Sequence, residues 1–153
     1  MKKGMPFTAL IVFLCLGAVA GYGQNSETID RVLDQESLTL SAGAYLVLTA
    51  TSAIEDASDF QAAARALSEQ GWWNSEKEGE EPLTRGEYSY MIMRSFDING
   101  GLLFSIFGGS RYATRELAFL EFLEADTSPY RPLSGEEAVR ILARVLEWQE
   151  AAP

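Results

Sequence analysis

The sequence predicts an all-α fold, a single domain of three helix–loop–helix repeats. Three observations carry this prediction. A short phrase occurs three times, as Ser37-Leu38-Thr39, as Pro82-Leu83-Thr84-Arg85-Gly86-Glu87 and as Pro132-Leu133-Ser134-Gly135-Glu136-Glu137. Its leucines stand at 38, 83 and 133, intervals of 45 and 50 residues, which is a period of helical repeat architectures. Each copy places a hydroxyl side chain where a helix needs a cap, and an apolar helical pattern follows it.

The N-terminal residues read as an export signal. Lys2 and Lys3 precede a mostly apolar run from Phe7 to Val19, and Ala18-Val19-Ala20 is a small-x-small cleavage site. The expected signal is therefore 1–20, with a cut after Gly23 as the alternative. The run is about 13 residues, short of the roughly 20 that a spanning helix needs. Cys15 lies inside this run behind Leu14, so it reads as a small apolar residue and not as a lipid attachment point.

The domain proper is expected at 24–148, with repeats at about 29–54, 56–98 and 111–148. Gln24 to Thr28 is polar and reads as a flexible start. Ile29 to Leu33 predicts a short helix that packs Ile29, Val32 and Leu33. Thr39 or Ser41 then caps a helix over Ala42–Ala53, which is apolar on all sides and so belongs in the centre. A buried strand at Tyr45–Thr51 is the rival reading. Asp56 to Gln70 predicts a second helix with Phe60, Ala63, Ala64 and Leu67 at helical spacing, ended by Gly71. Glu76 to Glu81 is an acidic loop. The second phrase opens a helix with Tyr88, Met91, Ile92 and Ser95 along one side.

Residues 99–110 break the pattern. Gly100-Gly101 and Gly108-Gly109 flank Leu102, Leu103, Phe104, Ser105, Ile106 and Phe107. Three readings fit this segment: a buried insertion, a strand-like edge, or a contact patch. Tyr112 to Glu124 is again helical, with Leu117, Leu120, Phe122 and Leu123, and Thr127-Ser128-Pro129 follows it. The third phrase opens the last helix, with Val139, Leu142, Val145 and Leu146 inside and Trp148 near its end. Gln149 to Pro153 reads as a fraying tail.

Helix-start chemistry accounts for most of the phrase. Four backbone donors are left open at a helix start. Thr84 with Glu87, and Ser134 with Glu137, fit the capping box, in which the hydroxyl accepts from N3 and the N3 carboxylate reaches back. In the first copy Ala42 stands at the N3 position, and the box is incomplete.

The chain carries 22 acidic and 12 basic residues, a formal charge of −10, and one cysteine and no histidine. Loss of Lys2 and Lys3 with the signal makes the charge −12 and leaves Lys77 as the only lysine beside nine arginines. A chain so charged repels nucleic acid and anionic membrane surfaces at long range. Without histidine, and with Cys15 in the signal, imidazole bases, thiol chemistry, disulfides and common zinc sites are excluded from the mature chain. The spacing of Glu76, Glu78, Glu80 and Glu81 does not fit an EF-hand loop. Arginine still permits bidentate recognition of a local anion. Arg111 and Arg115, one helical turn apart, read either as such a clamp or as partners of nearby acids such as Glu116.

At this point the chain resembles S-layer homology repeats. Ala62-Ala63-Ala64-Arg65-Ala66-Leu67-Ser68-Glu69-Gln70-Gly71-Trp72 resembles the family's helix ending in leucine and glycine. Leu83-Thr84-Arg85-Gly86-Glu87-Tyr88 resembles its threonine-arginine-alanine-glutamate phrase, with Gly86 for alanine. Leu133-Ser134-Gly135-Glu136-Glu137 is the third copy, without the arginine. The resemblance covers about two-thirds of the mature chain and is best over 56–98. It implies three units packed with pseudo-threefold symmetry, grooves between them that bind anionic cell-wall glycan, and a contact from the phrase arginine. Only Arg85 matches that arginine, because Leu40 and Gly135 occupy the equivalent positions. Arg85 otherwise reads as solvated or as an ion-pair partner of Glu87 or a loop acid. Trp72 and Trp73, at the helix-to-loop junction, read as a sugar-stacking pair or as core packing.

The function expected is therefore a noncatalytic, exported envelope module, periplasmic, envelope-associated or secreted, that binds cell-wall glycan or an envelope protein. No cofactor, metal or nucleic acid is called for. A structural subunit that assembles through Leu102, Leu103, Phe104, Ile106 and Phe107 is one alternative. A small envelope hydrolase using paired carboxylates is the other.

Overall fold

Leu38, Leu83 and Leu133 are each fully buried and are linked to one another through the backbone. Leu38 N–H donates to the Leu133 carbonyl at 2.6 Å, Leu83 N–H to Leu38 at 2.7 Å, and Leu133 N–H to Leu83 at 3.1 Å. Each leucine gives one bond and receives one, so the three close a ring. Isolated antiparallel bridges at Thr39–Pro82 and Thr84–Pro132 flank it.

The computed structural model describes residues 20–54, 59–73, 76–124 and 128–151. The expected signal over 1–19 lies outside the described residues, as do the proposed helix start at Asp56 and the loop residue Thr127. Among the described residues the chain is all-α: α1 Ala20–Leu33, α2 Leu40–Ala50, α3 Phe60–Glu69, α4 Arg85–Ser95, α5 Leu102–Phe107, α6 Ser110–Phe119 and α7 Gly135–Ala151. No helix among them is long and apolar enough to cross a membrane.

Local chemistry sets the helix starts. Thr39, not Ser41, caps α2 and accepts from Ala42 N–H, while Asp59 caps α3 and accepts from Gln61 N–H. The strand alternative for Tyr45–Thr51 is thereby excluded. Four helices end alike. Ser52, Gly71, Asp97 and Glu121 follow α2, α3, α4 and α6 with positive φ of 55°, 69°, 49° and 64°. The next residues, Ala53, Trp72, Ile98 and Phe122, donate their N–H back to Leu48, Leu67, Met93 and Leu117. This six-to-one bond is the Schellman closure, and it brings an apolar residue onto the helix it ends.

The central helix is α2, buried continuously from Leu40 to Leu48, and it packs against α3, α4 and α7. Helix α6 lies on α4, and α1 on α7. Helices α4 and α7 add Tyr88, Met91, Ile92, Ala138, Ile141 and Val145 to the same core. Val139 and Leu146, expected inside, are only half-buried at its border.

Three expectations are corrected. Gln24–Thr28 is the body of α1 and not a flexible start. Helix α7 runs on to Ala151, so Gln149–Ala151 is not a frayed tail. Helix α6 stops at Phe119, because Glu121 takes the left-handed conformation and turns Phe122 and Leu123 into the core. Residues 102–107 form a short helix that is neither buried nor a strand. Leu102, Ile106 and Phe107 are exposed by 75%, 62% and 66%.

Candidate functional site

Helix α4 starts with the full capping box read from the sequence. Thr84 accepts from Glu87 N–H, and the Glu87 carboxylate accepts from Thr84 N–H at 2.7 Å. Lys77 adds an ion pair to Glu87 at 2.8 Å. Burial alone pushes the Glu87 carboxyl up. The Lys77 ammonium and the Thr84 N–H and hydroxyl outweigh it, and Glu87 lies below its ordinary value of 4.5.

The third copy works differently. Ser134 accepts from Glu137 N–H at 3.2 Å, but the Glu137 carboxylate turns away from the cap to bind the guanidinium of Arg85. Arg85 is 7% exposed. Its partner is thus the cap carboxylate of the next phrase, and neither Glu87 nor an acid of the loop. Arg131 approaches the other Glu137 oxygen at 3.9 Å.

Arg85 and Glu137 stand in the wall of a pocket of about 210 Å³. Three elements build it: the start of α4, the segment Phe122–Glu124 after α6, and the first half of α7 with Arg131 before it. Arg85, Arg131, Arg140 and Arg144 face only Glu124 and Glu137 among the lining residues. Arg140 is tied to Glu136 one turn away, and Arg144 donates to the carbonyls of Glu121 and Phe122. These bonds fix the two arginines in position. Arg85 Nε is buried and has no hydrogen-bond partner among the described residues. A buried donor left open is costly unless something accepts from it. Chemically, this is a preorganised cluster of planar donors suited to a carboxylate or phosphate.

A second groove, of about 510 Å³, lies between α3, residues 77–80 and Leu40. Leu40 is the first residue of α2, as Arg85 is of α4. Here the lining offers Arg65 and Lys77 against Glu69, Glu78 and Glu80. It lacks the cationic excess of the first pocket.

The structure does not bring Arg85, Trp72 and Trp73 together. Trp73 is 7% exposed and belongs to the core, Trp72 packs half-buried against it, and neither lines the Arg85 pocket. The core-packing reading of the two tryptophans is the one their positions match. Arg111 and Arg115 are exposed on α6, away from the pocket lining. Sequence reasoning missed Arg131, Arg140 and Arg144. The signal was available for two of them, since Arg140 and Arg144 sit four apart on one helix face.

Among the described residues no group of three acidic, histidine or cysteine side chains is placed to hold a metal ion. The described residues therefore form a helical fold with a cleft lined by four arginines and two glutamates, in which Arg85 is paired with Glu137. Compared with known proteins, the chain matches no family model, no curated sequence and no solved structure.

Proposed function

We propose that this protein is a noncatalytic, exported envelope module that binds an anionic cell-wall glycan in the Arg85 pocket. The observation that carries the reading is the convergence of four arginines on one pocket in a chain of charge −10. Diffuse surface charge on such a chain repels anions, so a cationic pocket requires local placement. The ring of leucine backbone bonds supports pseudo-threefold packing of three S-layer-homology-like units, because it treats the three phrases as equivalents. On that reading the pocket is the groove between units two and three.

The test is retention on purified cell-wall glycan. Arg131→Gln with Arg144→Gln removes two pocket cations and leaves the buried Arg85–Glu137 pair intact. Each charge-assisted bond lost to the ligand costs about tenfold in affinity. Retention is expected to fall at least tenfold with an unchanged helical circular-dichroism spectrum. Retention equal to wild type ends the glycan reading. Retention by glycan-free envelope protein instead replaces it with a protein partner.

A further inference from the structure

We infer that α5 and the adjoining face of α6 form a docking surface for an anionic lipid bilayer. The surface shares no lining residue with the Arg85 pocket and stands independently of the glycan reading. It begins with composition. Residues 98–115 contain no acid and two arginines, in a chain with 22 acids, and Asp97 and Glu116 mark its ends. Within that stretch α5 has five apolar residues of six and buries none of them. Phe104 is the anchor. It is half-buried and its ring lies 6.3 Å from that of Tyr90 on α4. Leu102, Leu103, Ile106 and Phe107 are left outward, and Phe119 on α6 is 82% exposed. A shallow, mostly apolar cleft of about 360 Å³ joins Leu102 and Leu103 to Tyr112, Arg115, Glu116 and Phe119. Monomeric proteins in water rarely keep a continuous apolar patch of this kind without a partner.

Charge selects the occupant. Arg111, Arg115 and Phe119 follow at intervals of four on α6, so two exposed guanidinium groups border the apolar patch on one face. Phospholipid headgroups present phosphate to guanidinium and acyl chains to leucine and phenylalanine. Glu116 lines the same cleft and offsets one guanidinium, leaving one in excess, while acids beyond about 8 Å are screened by salt.

The experiment is cosedimentation of the full chain with vesicles of phosphatidylglycerol and phosphatidylcholine in equal parts. Ile106→Asp with Phe107→Asp should lower partitioning at least about tenfold, since each side chain exchanges apolar burial for a charge. Both positions are exposed and the Phe107 ring contacts only Tyr112 among the described aromatic pairs, so the helical spectrum should hold and the thermal midpoint fall only slightly. Arg111→Gln with Arg115→Gln should erase the preference over pure phosphatidylcholine. A nitroxide at Ile106→Cys, in a Cys15→Ser background, should lose water accessibility when vesicles are added. This local readout separates α5 from any binding by the apolar run of residues 7–19. A label that stays water-exposed on vesicle-bound protein overturns the inference. So does equal sedimentation of the doubly aspartate-substituted chain, or a lipid-independent dimer that the same substitution dissociates.

Discussion

At Gly135 the third phrase carries glycine where the middle phrase has Arg85, and the reason is steric. A Cβ placed there would run into the carbonyl of Val32, at the C-terminal end of α1, and Gly135 N–H donates to Gln35 nearby at 2.9 Å. A Cβ at Gly86, one place later in the middle phrase, would stand 2.9 Å from the Pro129 carbonyl oxygen, which leaves little room for a side chain. Gly135→Ala should therefore destabilise the protein by about 1–3 kcal/mol through forced backbone movement. Urea unfolding measures this, and an unshifted midpoint would refute the close approach. Glu121 offers the reverse case. It adopts φ 64° behind α6 at a solvent-exposed site, where a side chain adds strain that glycine lacks. Glu121→Gly should raise stability by about 1 kcal/mol. The backbone carbonyl that Arg144 uses is unaffected by the change.

Helix α4 shows how an element's start couples to pH. Thr84→Ala removes the hydroxyl acceptor of the box and should cost about 1 kcal/mol, read as a lower thermal midpoint. Glu87 lies below its ordinary value when folded, so its ionised form is favoured by the native state. Its contribution is complete above about 4.5, the unfolded value, and is lost as pH falls through the lower folded value. Lys77→Met removes a lowering influence and should shift acid unfolding to higher pH. The same acid-unfolding midpoint in both proteins would show that Lys77 does not hold the carboxylate. At the start of α7 the Glu137 carboxylate binds Arg85 and does not close a capping box.

For the whole molecule, the Arg85–Glu137 pair ties the second phrase to the third across 52 residues. Its side chains are 8% and 16% exposed. Removing one member of a largely buried pair leaves the other charge stranded, so Arg85→Ala should cost about 3 kcal/mol in denaturant unfolding. Arg85→Met with Glu137→Leu should recover most of that loss. A single variant as stable as wild type would mean that solvent already reaches the pair. The ring of Leu38, Leu83 and Leu133 acts at the same scale. It joins three segments far apart in sequence by bonds sheltered from water, where an unpaired N–H or carbonyl is expensive.

Local chemistry made the helix starts legible from residue types alone. Thr39, Thr84 and Ser134 were readable as caps because a cap and the backbone N–H that donates to it lie within three positions of each other. The apolar burial of α2 was readable because its residues are apolar on every side. Glu121 and Asp97 as helix terminators were not, since neither residue type favours the left-handed turn as glycine does. Convergence in space was hidden altogether. Arg131, Arg140 and Arg144 look like ordinary solvated arginines until packing of α7 against the end of α6 brings them round Arg85. Trp72 and Trp73 fitted both a sugar-stacking pair and core packing, and the burial of Trp73 is what separates the two. A cap depends on neighbours along the chain, whereas a pocket depends on which distant segments the core draws together. Only the tertiary structure decides the second.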